Sequence, residues 1–317
     1  MPTNTYTTYT AVGNREDLIN KVFQISPTDT PFTSAIEKTD AEGVYHEWQT
    51  DSLRAPTDSN AAVEGADATY NTQAPTKRIG NRCQIVQDTF SVSGTQEAVK
   101  RAGPKEVARL SAKKAIELKK DIEATALVSG AAVVGSKTVA RKMRGVKGWC
   151  ETNFLGGAGS AAPDPDNNTP PVAGTARPFT EDLLKEALRL AYEAGGNVTQ
   201  VHMRPVDKQR ASAFGGNATR MESVNGTGKT AVLQTSYSIY ASDFGNVAMI
   251  PNRVMSAVND TAVYAIDPSM WALATLRGFE KEELAKVGDA RNWQITWEGT
   301  LEARNEASSA QIRDLAA

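Results

Sequence analysis

The 317-residue chain is poor in the side chains on which many enzymes and secreted proteins depend. It has only two cysteines, Cys83 and Cys150, and two histidines, His46 and His202. Two thiols in so long a chain do not make a disulfide framework, so we expect a reducing compartment and treat both as small packing residues. Two histidines far apart in sequence do not suggest a ligand set. We therefore predict no metal site.

The chain also lacks an excess of positive charge and any long apolar run. Lysine plus arginine total 35 against 37 aspartate plus glutamate, a formal net charge of −2. A protein whose main task is to grip nucleic acid usually has a basic excess. No apolar run approaches the ~20 residues that span a bilayer. Residues 1–6 (MPTNTY) lack the regions of a signal peptide, so we expect synthesis in the cytoplasm and no membrane partner.

One motif invites a nucleotide-binding interpretation. Residues 225–230 read NGTGKT and end like a phosphate-binding loop, but Ser223 stands where that loop needs its first glycine. The loop must also open a helix after a buried strand, whereas residues 231–239 have strand character. We interpret the motif as a surface loop. Since no nucleophile signature such as G-x-S-x-G occurs either, we predict no cofactor and no enzyme activity.

The first half of the chain predicts an arm and a projecting hairpin. Residues 1–42 are interpreted as an extended arm with one short helix near Leu18, because the prolines of residues 26–32 break any longer one. Residues 44–50 and 83–92 are aromatic and β-branched, which predicts two paired strands around an unusually long tip. An isolated hairpin is marginally stable in water. We therefore expect the tip to lie on a neighbouring copy of the chain.

The clearest helical pattern covers residues 104–129. Pro104 suits the first helical position, and an apolar stripe follows at Val107, Leu110, Leu118 and Ile122. The helix would be about 39 Å long, a candidate spine for an elongated subunit. Two i,i+4 ion pairs are predicted on its solvated sides, Lys113 with Glu117 and Lys119 with Glu123.

The second half mixes helices and strands, which predicts an α+β fold. The Gly/Pro-rich residues 151–178 indicate a domain boundary. A helix capped by Thr180 follows, and a shorter helix follows Pro205. Near the end, residues 293–304 alternate between apolar and polar side chains, which predicts a strand with one buried and one wet face.

One stretch concentrates positive charge. Three interpretations of it stay open: a face toward packaged nucleic acid, a contact with an acidic patch on a neighbouring subunit, or a solvated edge. Its candidate subunit-interface or DNA-facing residues are Lys137, Arg141, Lys142, Arg144 and Lys147.

The order of these elements resembles the Hong Kong 97-type fold of tailed-bacteriophage major capsid (major head) proteins. Local sequence is similar to such proteins at residues 201–210 (VHMRPVDKQR), 266–268 (IDP), 276–277 (LR), 284–290 (LAKVGDA) and 297–305 (WEGTLEARN). The resemblance implies an N-terminal arm, an extended β-hairpin loop, a peripheral domain in two parts with a long spine helix, and an axial domain. Their expected bounds are 1–42, 43–95, 96–175 with 271–317, and 176–270.

The resemblance further implies a major capsid protein that self-assembles into the icosahedral head shell enclosing phage DNA. Expected partners are copies of the chain in hexamers and pentamers, packaged double-stranded DNA through non-specific contacts, and scaffolding, portal and decoration proteins. Assembly is expected in the host cytoplasm and residence in the virion. Because the chain begins almost directly with its arm, we expect any scaffold to be a separate protein.

Two finer points stay open at this stage. Some members of the resembled family form a covalent lysine–asparagine cross-link, and Lys77 and Asn71 lie near the predicted tip. No motif transfers that chemistry to this chain. Two other functions are weighed against a phage shell: an encapsulin-like compartment shell that shares the fold, and a soluble α/β enzyme.

Overall fold

A computed structural model describes residues 29–65, 67, 70, 72–73, 75–100, 103–214 and 239–316. Within these ranges the helices are α1 (Pro31–Ala35), α2 (Gly94–Ala98), α3 (Glu106–Val128), α4 (Val146–Trp149), α5 (Glu181–Glu193), α6 (Pro205–Ser212) and α7 (Arg253–Ala257). The strands are β1 (Glu37–Asp40), β2 (Tyr45–Thr50), β3 (Lys77–Arg82), β4 (Gln84–Ser93), β5 (Phe154–Leu155), β6 (Gln200–Met203), β7 (Ile239–Ser242), β8 (Gly245–Pro251), β9 (Val263–Ile266), β10 (Trp271–Val287), β11 (Ala290–Ala303) and β12 (Ala310–Ile312).

A four-stranded sheet carries the long helix α3. Its strand order is β1-β10-β11-β4, with β1 parallel to β10 and the other pairs antiparallel. Leu118 and Ile122 of α3 are buried and share one apolar core with Phe90 and Ile295 of the sheet. Strands β10 and β11 form a long ribbon that turns at Gly288, whose φ of 64° suits glycine. The helix and this sheet form one elongated body.

A six-stranded sheet forms the second body, in the order β5-β12-β9-β6-β8-β7. Helix α5 packs on it through Leu184, Ala187 and Leu188, all buried in a second apolar core. The Thr180 hydroxyl accepts a hydrogen bond from the Leu183 N–H at 3.4 Å, as an N-cap residue should. The predicted cap, the buried stripe of α5 and the short helix after Pro205 are confirmed.

The spine helix is confirmed over residues 106–128, but Pro104 precedes the helix instead of occupying its first position, since Lys105 is the N-cap residue. One of its two predicted ion pairs is also wrong. Lys113 lies 3.7 Å from Glu117, as expected. Glu123, however, is fully buried and accepts hydrogen bonds from the backbone N–H groups of Phe32 at 2.9 Å and Thr33 at 2.7 Å. The i,i+4 spacing places Glu123 near Lys119 but does not say which face of the helix another segment covers.

The predicted pairing of the projecting hairpin is also wrong. Strand β2 matches its prediction, but it pairs with β3, from Tyr45 opposite Arg82 to Thr50 opposite Lys77. The predicted partner, residues 83–92, forms β4 and pairs with β11. Residues 77–82 read KRIGNR, which is too polar to have been identified as a strand on its own. Only the backbone pairing identifies β3 as the partner of β2.

Strand β11 is confirmed, but its second face is not wet throughout. Glu298, Thr300 and Glu302 are buried, although they alternate with apolar residues. The two carboxylates are covered because basic side chains reach them: Arg141 and Arg277 contact Glu298, and Arg304 contacts Glu302 at 3.0 Å. The prediction failed because an alternating pattern shows only which side chains are polar. It does not show that a polar side chain such as an ion-paired carboxylate can be buried.

Residues 31–40 of the expected arm are docked on the body. The prolines of residues 26–32 were predicted to break any helix, yet α1 begins at Pro31, where the missing proline N–H costs nothing. Strand β1 then adds to the edge of the four-stranded sheet. The predicted helix near Leu18, the NGTGKT motif and most of the predicted strand over residues 231–239 lie outside the described residues.

Candidate functional site

The β2–β3 hairpin is firmly rooted on its own subunit. Asn81 is buried, and its amide donates to the carbonyl oxygens of Arg144 at 2.9 Å and Leu301 at 2.8 Å. The Trp48 indole N–H donates to the Ala303 carbonyl at 2.9 Å, and the Trp48 ring lies 5.6 Å from that of Trp149. These contacts fix the direction in which the hairpin leaves the body.

The loop at the end of this hairpin makes no comparable contact. Every described residue between Asp51 and Thr76 is exposed, and their hydrogen bonds stay within the hairpin. Three large apolar side chains are nearly bare: Leu53 is 99% exposed, Val63 80% and Tyr70 97%. Apolar groups on a projecting segment gain free energy only if another surface covers them. The loop is therefore a candidate contact surface.

The five basic candidates do not form one patch. Arg141 is paired with Glu298 at 2.6 Å, and Lys147 lies 3.4 Å from Asp260. The buried Arg144 guanidinium donates to the Pro165 carbonyl at 2.8 Å and stacks over the Trp149 ring at 4.5 Å. Its burial lowers the pKa of Arg144 from the usual arginine value.

Lys137 and Lys142, in contrast, are exposed and form no ion pair with any described residue. Three of the five candidates therefore brace the subunit internally, and two remain available to a partner. Sequence clustering could not separate these two groups, because the acids that pair with Arg141 and Lys147 lie more than a hundred residues away.

Both cysteines and one histidine are buried. Burial raises the pKa of Cys83 to about 11 and raises that of Cys150 well above its usual value, so neither thiol is activated as a nucleophile. His202 is fully buried against Phe32, with ring centroids 5.7 Å apart, and burial lowers its pKa from 6.5 to about 4. These residues belong to the core.

Replacing His202 should flatten the pH dependence of stability. A histidine whose folded-state pKa is depressed stays neutral in the folded protein, while the unfolded chain takes up a proton below about pH 6.5. Stability is then fully present above pH 6.5 and is lost as pH falls toward 4. We expect the wild-type free energy of unfolding to drop by about 2 kcal/mol more between pH 7 and 5 than that of His202→Leu. Urea titrations at both pH values measure this, and equal drops would contradict the assignment.

The described part of the chain contains no group of three or more His, Cys, Asp or Glu side chains that could hold a metal ion. None of the described helices is long and apolar enough to cross a membrane. Sequence reasoning missed three buried polar residues that organise the subunit: Asn81, Glu123 and Glu298. No local signal marks them, because their partners come from distant segments.

Comparison with known proteins adds family information to this geometry. The family model described as SU10 major capsid protein matches residues 1–316. The major capsid protein of Escherichia phage Phieco32 is 29% identical over 347 aligned positions, which cover 97% of this chain and 96% of that relative.

Solved structures share the fold at low sequence identity. One from Mycobacterium phage Adephagia superposes with a TM-score of 0.61 at 8% identity and covers 99% of each chain. The holo-SrpI encapsulin complex from Synechococcus elongatus superposes with a TM-score of 0.54 at 11% identity, covering 95% of this chain and 92% of that one. Likenesses at this level of identity concern the fold alone.

Proposed function

The chain belongs to the SU10 major capsid protein family, and from that membership we propose how its surfaces build a phage head. It is a bacteriophage major capsid protein with the α+β, Hong Kong 97-type fold, a structural subunit of the icosahedral shell and a component of the virion. The points that follow concern how it assembles and what it encloses.

The extended loop, residues 51–76, lies over an adjacent subunit. The single observation that supports this is a contrast: the root of the hairpin is fixed by Asn81 and Trp48, while every described loop residue is exposed. A rigid root with a bare apolar tip suits a contact with another copy, because the direction of the hairpin is set before the partner arrives. Preorganisation of this kind lowers the entropy cost of association.

The two sheets correspond to two domains. The four-stranded sheet with α3 is the peripheral domain, and the six-stranded sheet with α5 is the axial domain, whose tips meet at the centres of pentamers and hexamers. The expected bounds, 96–175 with 271–317 and 176–270, need adjustment at several strands. Strands β1 and β4, from the expected arm and extended loop, pair within the four-stranded sheet, so we place residues 37–40 and 84–93 with the peripheral domain. Strands β5 and β12 pair within the six-stranded sheet, so we place residues 154–155 and 310–312 with the axial domain.

The subunit acts without a catalytic site, and the shell encloses double-stranded DNA rather than cargo enzymes. Assembly takes place in the host cytoplasm, with portal, scaffolding and decoration proteins as further partners. Contacts with DNA are non-specific, since the net charge of −2 gives the chain no basic excess. Membership in a phage family rather than an encapsulin family supports the proposal that the shell encloses DNA and not cargo enzymes.

Particles purified from infected cells should protect double-stranded DNA from added nuclease. The measurement is the amount and length of DNA recovered after nuclease treatment and subsequent opening of the particles, with opened particles treated with nuclease as the control. Intact particles that contain protein cargo and no protected DNA would overturn the proposal in favour of a compartment shell.

A further inference from the structure

A short turn projects from the subunit between α3 and α4; we name residues 133–142 the basic finger. Val133 and Lys142 pair across its base, with N···O distances of 2.9 and 3.1 Å, and Gly135 takes a φ of 81°. The ion pair between Arg141 and the buried Glu298 anchors the base to β11. One β-bridge and one ion pair thus hold the base of the turn on the subunit.

The outer surface of the basic finger combines charge with apolar area. Val134 is 62% exposed and Val139 52%. Lys137 and Lys142 are exposed and form no ion pair within the described part of the chain. Two free ammonium groups beside two bare valines fit a partner surface that is both acidic and apolar.

A groove of about 560 Å³ elsewhere on the subunit has that character; we name it the acidic groove. It lies beside the β1–β2 connection, and the residues that line it include Tyr45, whose side chain is 42% exposed. Asp40 and Glu42 line it, are exposed and make no ion pair with described residues, whereas Glu47 is already paired with Arg78. In charge and polarity, these two free carboxylates and the exposed Tyr45 ring are complementary to the two free lysines and two valines of the finger.

We propose that the basic finger of one subunit docks in the acidic groove of a second copy of this chain. This inference rests on the proposed shell function, which requires each subunit to meet identical neighbours. No hydrogen bond or ion pair joins finger and groove within the described part of one chain, and the anchored base prevents the finger from swinging. Two different patches that meet between copies make a heterologous contact, the type that closes rings.

The composition of the finger argues against DNA as the occupant. The phosphate backbone of DNA binds arrays of basic side chains, and it offers no apolar surface that Val134 or Val139 could contact. The exposed ring of Tyr45 in the acidic groove does offer one. Charge complementarity would also set the register between neighbours and exclude wrong pairings.

A charge-swap experiment tests the inference. The finger variant is Lys137→Glu with Lys142→Glu, the groove variant is Asp40→Lys with Glu42→Lys, and the swap variant carries all four changes. We expect each reversal to raise the critical concentration for DNA-free assembly about tenfold, since two rim pairs become repulsive at every contact. The swap should return it to within about threefold of wild type. Light scattering measures assembly, and melting of the unassembled subunits checks folding.

A control for net charge is Lys100→Glu with Lys105→Glu, two exposed lysines away from finger and groove and without ion pairs among the described residues; it should assemble like wild type. If wild type assembles and the reversals have no effect, or the swap fails to rescue them, the docking is overturned while the shell function stands. If the finger variant assembles normally without DNA but packages less of it, the lysines face DNA and the inference is also overturned. If wild type does not assemble alone, the same variants are compared with the scaffolding protein present; failure of wild type to assemble there too would contradict the proposed function itself.

Discussion

Replacing residues 51–76 by Asn-Gly is expected to give a subunit that folds normally but does not form stable shells. The two strands that flank the loop end opposite each other, at Thr50 and Lys77, and Asn-Gly is the preferred two-residue connection for such a hairpin. The described loop residues are all exposed, so their removal takes no buried contact from the subunit. What it removes is the apolar surface that a neighbour would cover.

Two measurements separate folding from assembly in this variant. Thermal melting of the unassembled subunit should match wild type within a few degrees, and negative-stain electron microscopy should show no closed shells at concentrations where wild type forms them. A companion variant keeps the loop length but carries Leu53→Ser, Val63→Ser and Tyr70→Ser, and it should assemble with reduced efficiency. Normal shells from the shortened chain would show that the loop has no role in contacts.

Glu123→Ala should cost about 3–5 kcal/mol of unfolding free energy. The buried carboxylate accepts from the backbone N–H groups of Phe32 and Thr33, from the Thr33 hydroxyl at 2.7 Å and from the Asn252 amide at 2.8 Å. Four hydrogen bonds converge on this one carboxylate, and its loss leaves their donors buried without partners. The same carboxylate holds the N-terminus of α1 against the spine helix.

Glu117→Ala provides the matched control on the same helix. Its carboxylate is partly exposed, with ion pairs to Lys113 and Lys114, so its loss should cost at most about 0.5 kcal/mol. Glu123→Gln should fall between the two, because the amide keeps one acceptor oxygen but turns a donor toward the donors of its neighbours. Chemical denaturation measures all three, and equal stabilities of Glu123→Ala and Glu117→Ala would refute the anchoring role.

Elements with strong local signals were predictable. Helix α5 is predicted by the capping residue Thr180, by acidic residues in its first turn and by a regular apolar stripe. The structure confirms each of these features. The spine helix was equally clear. Both depend on 3.6-residue periodicity, and α5 also on its Thr180 cap; these are properties of neighbouring residues along the chain.

Features that depend on distant segments were not predictable. Strand β3 has little strand character of its own and exists because β2 pairs with it. Strand β10, with charged residues through its second half, was not identified either; it is held by β11.

The candidate contact residues divide for the same reason. Arg141 and Lys142 are adjacent in sequence, yet Arg141 forms an ion pair with Glu298 while Lys142 stays exposed. A sequence shows that positive charge is concentrated, but only the fold shows which acids reach it. The remaining free lysines, rather than the original cluster, are therefore the groups to test at interfaces.

The mass distribution of the purified wild-type chain across a wide concentration range tests the central claim most directly. We predict a cooperative transition from subunits or capsomers to closed particles visible by electron microscopy, with Tyr70 becoming protected from surface labelling as particles form. A species that stays monomeric at every concentration, with the loop packed against its own body, would contradict the account.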